Sequence, residues 1–210
     1  GNDTSGDGSA VMPWKTLSHA LSAITPTATV PVTVIAYGGT YSGALSLPPY
    51  TTLQAADDQT VVIQGAVTGA EASALHNLTL QAGSSPLLLM DNVAMRVENV
   101  VFDGTDTPDI TGIETRGNTA RACLIDKCLF TNLAYGIQVF GATPLIRRTT
   151  MDNISNDGII LYLIPDPEKQ ETPDNPFGDI ANLNTGYNAF ENIGQYAINN
   201  ERDQEVKAQN

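Results

Sequence analysis

Few residues of this chain have the type and spacing to do chemistry, and they are mostly carboxylates, amides and aromatics. Asp3-x-Ser5-x-Asp7-Gly8 begins like a calcium loop, with oxygen donors at alternate positions, but Trp14 stands where the bidentate Glu belongs. The plainer reading is a polar turn ahead of a helix, so Ca²⁺ is a candidate cofactor and no more. His19 and His76 are the only histidines, and neither they nor Cys123 and Cys128 fall at metal-ligand spacing. Cys128 reads as a small buried hydrophobe, and both cysteines as free thiols with no His nearby to activate them; the alternative is a disulfide closing a very short loop. GxSxG, HExxH and GxxxxGK[ST] are all absent.

A binding face is easier to build than a catalytic one. Glu114, Arg116, Gln138, Phe140 and Tyr162 combine ring faces that could stack on sugars with groups that could bond their hydroxyls. Whether they share a face depends on a repeat. Phe130-Thr131-Asn132-Leu133-Ala134-Tyr135-Gly136-Ile137 returns as Met151-Asp152-Asn153-Ile154-Ser155-Asn156-Asp157-Gly158-Ile159, and again from Phe190 to Ile198. The Asn residues lie 21 and then 39 residues apart, the second interval being one coil plus an inserted loop. Leu75-x-x-Leu78-x-Leu80, Val97-x-x-Val100-x-Phe102, Ile125-x-x-Cys128-x-Phe130 and Ile146-x-x-Thr149-x-Met151 extend the pattern upstream.

Intervals of 21 to 28 residues suit a coil of three short strands and three turns, stacked as a parallel β-solenoid. Asn132, Asn153 and Asn192 should then form a buried ladder. Gly112-Ile113, Gly136-Ile137, Gly158-Ile159 and Ala197-Ile198 should form a second column, which brings Glu114, Gln138, Ile160 and Asn199 outward together. Arg116, Phe140 and Tyr162 follow two residues on. The same register puts His76, Glu98, Asp126 and Arg147 in one outward column and Asn99, Lys127 and Arg148 in the next, a pattern of solvated ion pairs. Asp103, Asp152 and Glu191 make a third, interrupted by Thr131.

The chain has 210 residues, 41% hydrophobic and 16% charged, which fits one globular domain spanning 1–210 with a turn every few residues. A net charge of −13 excludes a phosphate-backbone partner, so nucleic acid is not expected. No apolar run is long enough to span a membrane. Trp14, Leu17, Leu21 and Ile24 lie on one helical stripe, with Pro13 suited to the first turn, so residues 13–24 should form a helix capping the first coil. The Pro-rich acidic segment 163–183 should leave the coil as a loop over the Phe140 and Tyr162 face. The C-terminal end still has strand character, so it should continue or be covered by a partner.

Gly1-Asn2-Asp3…Gly6, Pro13-Trp14-Lys15-Thr16-Leu17…Ala20-Leu21 and Val34-Ile35-Ala36…Gly39-Thr40-Tyr41 resemble the opening of the pectin-lyase-like superfamily. Together with Gly178-Asp179-Ile180…Asn184-Thr185-Gly186-Tyr187, they look most like the DUF1565-type bacterial surface and secreted domains. The resemblance implies an all-β, right-handed parallel β-helix with an N-terminal capping helix, at a bacterial or archaeal cell surface or outside the cell. The resemblance specifies activity poorly, and the missing enzyme signatures favour a module that binds polysaccharide or a cell-surface component without catalysis. Two alternatives are a β-helix polysaccharide lyase or hydrolase, and a structural element that self-associates through open ends into a filament or stalk. Some lyases of the superfamily use Lys or Arg as base with Ca²⁺ held by Asp, and the candidates for the base here are Lys127, Arg147 and Arg148. The paired-Asp and Gly-His-Gly motifs of polygalacturonases are missing.

Overall fold

Short segments in which inward apolar residues alternate with outward polar ones cannot bury themselves alone. Each buries its apolar side by pairing with the equivalent segment one coil away. The computed structural model describes residues 1–81, 83, 85–105, 109–117, 123–141, 144–162 and 187–200, and the loop expected over 163–183 lies outside them.

Three parallel sheets result. The first stacks β1 (Val32–Ala36), β4 (Thr51–Ala55), β7 (Ser73–His76), β10 (Met95–Glu98), β13 (Leu124–Asp126) and β16 (Leu145–Arg147). The second stacks β2 (Gly39–Ser42), β5 (Val61–Gln64), β8 (Thr79–Gln81), β11 (Val101–Asp103), β14 (Leu129–Leu133), β17 (Thr150–Ile154) and β19 (Ala189–Ile193). The third stacks β3 (Leu45–Ser46), β6 (Val67–Thr68), β9 (Leu88–Asp91), β12 (Thr111–Arg116), β15 (Tyr135–Phe140), β18 (Ile159–Tyr162) and β20 (Ile198–Asn200). The chain is a parallel β-solenoid.

Its core is a set of columns. Leu53, Leu75, Val97, Ile125 and Ile146 stack in the first sheet, and Ile63, Leu80, Phe102, Phe130 and Met151 in the second. All are buried, and the Phe102 and Phe130 rings lie parallel with centroids 4.6 Å apart. Each such side chain contributes roughly 1.5–3 kcal/mol by leaving water. Ile113, Ile137, Ile159 and Ile198 form the column of the third sheet. The glycine before the Ile is there for space: a Cβ on Gly112 would lie 2.7 Å from both the Gly136 carbonyl oxygen and the Phe130 ring. Thr115 points inward among Met90, Val139 and Leu161, fully buried, and its hydroxyl has no partner among the described residues.

The corners use left-handed backbone. Asn77, Asn99, Lys127 and Arg148 turn the chain from the first sheet to the second at φ of 56°, 55°, 54° and 51°. Asn132, Asn153 and Asn192 turn it from the second to the third at 57°, 56° and 49°. This corrects the expected burial of the second set: all three are exposed. In the left-handed conformation the Asn side chain swings out at the corner, while the next residue (Leu133, Ile154 or Ile193) enters the interior. The amides still bond along the column, Asn153 Nδ2 donating to Asn132 Oδ1 at 2.7 Å. Asn132 and Asn192 donate instead to the carboxylates of Asp103 and Asp152, at 2.9 and 2.7 Å.

The cap is shorter than the apolar stripe suggested. Helix α1 covers Leu17–Ala23 rather than 13–24. Thr16 is its N-cap, its hydroxyl accepting from the His19 N–H at 3.2 Å. The residues ahead of it are held by Asp3, whose carboxylate accepts from the Lys15 and Thr16 N–H groups at 2.7 and 3.0 Å and from the Thr16 hydroxyl at 2.8 Å. Pro13 therefore precedes the cap. Leu17 and Leu21 join the core against the first coil, whereas Trp14 is half-buried and its indole N–H donates to the Gly6 carbonyl at 3.1 Å.

Two substitutions test this account. Thr115→Val removes a buried unpaired hydroxyl at constant shape and is expected to stabilise the fold by about 1 kcal/mol in denaturant titration. Lys127→Asn places a left-handed former at a corner and is expected to add about 0.5–1 kcal/mol. A lowered unfolding midpoint in either variant would contradict the geometry it rests on.

Candidate functional site

The register brings the aromatic and polar candidates onto the third sheet. Glu114 pairs with Gln138 and Arg116 with Phe140 across β12 and β15, and Phe140 pairs with Tyr162 across β15 and β18. The Phe140 and Tyr162 rings are parallel to within 4° with centroids 4.3 Å apart. Gln138 Nε2 donates to the Tyr162 hydroxyl at 3.2 Å, and the Arg116 guanidinium is paired with the Glu114 carboxylate. Gln138, Phe140 and Tyr162 are half-buried, while the Glu114 side chain is only 11% exposed against 52% for Arg116.

Two features of this face differ from the sequence reading. Glu114 and its column neighbour Ile160 keep the outward register but are buried rather than open. The aromatic rings also turn one face each to one another, so those faces are spent on their own stack. What a ligand would meet is an ordered strip of ring edge, phenol, amide and guanidinium, its rotamers already fixed by neighbours.

On the first sheet, His76, Glu98, Asp126 and Arg147 pair in consecutive strands. The ladder is not fully solvated, however. Asp126 is buried, and two guanidiniums converge on it: Arg147 Nη2 at 3.1 Å, and Arg148, whose Nε donates at 2.7 Å. The left-handed corner at Arg148 places its side chain next to the preceding rung's carboxylate. Burial pushes the Asp126 carboxyl up, but the Arg148 hydrogen bond and the charges of both arginines outweigh it, and its pKa lies below the ordinary 3.8. The same Asp126 hydrogen bond raises the Arg148 pKa. A guanidinium held more firmly protonated is the opposite of a base, so Arg148 is unsuited to abstract a proton. Lower on the same face, His76 Nδ1 and Arg96 Nη2 meet Glu98 at 3.4 and 2.5 Å.

The calcium-loop residues are engaged otherwise. Asp3 clamps the cap as above, Asp7 Oδ1 accepts from the Ser9 N–H at 2.9 Å, and the Ser5 N–H donates to Asn2 Oδ1 at 3.0 Å. Asp103, Thr131, Asp152 and Glu191 do share one column, with two of its carboxylates taken by ladder amides. Among the described residues no group of three or more His, Cys, Asp or Glu could hold a metal ion. Cys123 and Cys128 are free and buried; burial raises their thiols to about 11 and about 12, which leaves them unreactive near neutrality.

Two structural roles were missed in the sequence. Asn99 Nδ2 donates to Asn77 Oδ1 at 2.8 Å, a second amide ladder at the other corner, which the Asn that closes β7 and β10 could have signalled. Asp157, buried, accepts from the Tyr196 N–H and from Asn199 Nδ2, both at 3.1 Å, and so fastens the last described coil.

Asp126→Asn should cost about 1–3 kcal/mol, because two guanidiniums lose their carboxylate; their partial exposure keeps the figure at the lower end for a broken buried pair. Since the native pKa is depressed, this contribution is full above the unfolded-state value and disappears as pH falls through the native one. Acid titrations of the two proteins should therefore converge at low pH. A gap that stays constant from pH 7 to pH 2 would rule the charge interaction out.

Compared with known proteins, the chain matches no family model, no curated protein and no solved structure.

Proposed function

We propose that the chain is a secreted or cell-surface β-solenoid module of the pectin-lyase-like kind, which binds a polysaccharide or other cell-surface component and does not cleave it. The observation that carries this reading is the strip on the third sheet. Arg116, Phe140 and Tyr162 stand on consecutive rungs beside Glu114 and Gln138, tied together by an ion pair, a hydrogen bond and a ring stack. Rungs repeat at about 4.8 Å, close to the length of a sugar unit, so a rigid column can register a linear glycan. Side chains already ordered lose little further entropy on binding. A mixed-charge strip on an acidic chain suits a neutral or weakly charged glycan more than a polyanion.

Non-catalysis is favoured over a β-eliminating lyase because the reaction requires a poised base. Arg148, one of the three basic candidates, is held protonated, and Arg147 shares the same carboxylate. The third, Lys127, is exposed at a corner.

Tyr162→Ala should weaken glycan affinity about tenfold in a glycan-array and calorimetry series, and Lys127→Ala should leave it unchanged. Incubation with acidic polysaccharides and Ca²⁺ should produce no ultraviolet-absorbing unsaturated uronate. Its appearance would make the chain a lyase and overturn the proposal, as would equal binding by the Tyr162 variant.

A further inference from the structure

At the capped end a half-open cavity of about 360 Å³ runs beside β1. Every residue from Val32 to Tyr37 lines it. Side chains alternate faces along a strand, so a cavity touching both inward Val34 and outward Ile35 lies along the strand's edge rather than against one face. β1 pairs with β4 alone among the described residues. Its bonds to that neighbour use alternate residues: the Val32 N–H donates to the Tyr50 carbonyl at 3.1 Å, and the Ala36 carbonyl accepts from the Ala56 N–H at 2.7 Å. The N–H and C=O groups of Thr33 and Ile35 therefore point the other way, towards the cavity. Its opposite wall is α1 and the segment before it, with Pro13 and Trp14, and Tyr41 also lines it.

The edge lacks the usual protection. Val32–Ala36 carries no charge, no proline and no bulge, and Ile35 and Tyr37 are 53% and 52% exposed. Of the eight exposed large hydrophobics among the described residues, five fall within residues 11–37: Val11, Met12, Val30, Ile35 and Tyr37. A chain of net charge −13 thus carries here a lining whose only charged residue is Lys15.

We propose that this groove captures an extended peptide segment of a partner protein, which pairs with Thr33 and Ile35 as an added strand of the first sheet. Hydrogen-bond complementarity selects the occupant, since donors and acceptors alternating at strand spacing match an extended peptide backbone. A second copy's β1 is a poor fit, because it is recessed behind its own N-terminal segment in the same way. The three aromatics Trp14, Tyr37 and Tyr41 would receive apolar peptide side chains, and a lining with the single charge of Lys15, on a chain of net charge −13, favours a neutral segment.

The probe is a displayed library of random octapeptides panned on the full chain, followed by synthesis of the enriched peptides. Ile35→Pro removes the outward donor and leaves the bonds to β4 intact, since proline is tolerated where a strand N–H faces away from its sheet. Enriched peptides should be apolar and neutral. They should bind the Ile35→Pro variant at least tenfold more weakly, bind Tyr162→Ala normally, and slow hydrogen exchange at the Thr33 and Ile35 amides. The exchange measurement, made on the unsubstituted chain, decides the matter even if the proline variant does not fold. Failure to select any binding peptide, protection confined to residues outside β1, or pairing of two copies through β1 in sedimentation would overturn the proposal.

Discussion

Parallel pairing between coils constrains everything else in this molecule. Because each strand bonds the same residue position above and below, an inward position cannot be optimised for one coil alone; it must tolerate its own kind as its neighbour. Leu, Ile, Val, Phe and Met satisfy this by stacking in columns, and Thr115 is an exception whose buried hydroxyl has no partner among the described residues. The same rule acts at the corners. A left-handed residue turns the chain out of one sheet and into the next at the same place in successive coils, so Asn recurs there and its amide finds a partner one rung away. Lys127 and Arg148 occupy that corner at a conformational cost of roughly 1 kcal/mol each. For Arg148 the hydrogen bonds to Asp126 offset the cost; for Lys127 the structure offers no compensation of that kind among the described residues.

The columns were legible in the sequence because burial, parallel pairing and strand alternation all enforce one period. Aligning Leu75, Val97, Ile125 and Ile146 was enough to place His76, Glu98, Asp126 and Arg147 together, and the Gly-Ile steps placed Phe140 on Tyr162. What a period cannot convey is depth. Asn132, Asn153 and Asn192 repeat as faithfully as core residues, yet their left-handed backbone turns them outward. Conversely Asp126 looked solvated, but the corner at Arg148 puts a second guanidinium on it and the carboxylate is buried. The helix start was lost for another reason: the bonds from Lys15 and Thr16 to Asp3 join residues 12 and 13 positions apart, which no local pattern of Pro13 and Trp14 encodes.

A solenoid also separates two kinds of binding surface. Its lateral faces are rigid and periodic wherever a strand is paired on both sides, as β12, β15 and β18 are beneath the Arg116, Phe140 and Tyr162 strip. Such a surface recognises another periodic object by matching its repeat. Its ends carry backbone groups whose partners would be one coil further on, and these can recognise only another extended backbone. At the N-terminal end α1 shields the core through Leu17 and Leu21 and packs against β1 and β3. A helix spends its backbone N–H and C=O groups on itself, so α1 can cover apolar side chains but cannot pair the edge of a strand, and apolar protection and backbone pairing part company at this end of the molecule.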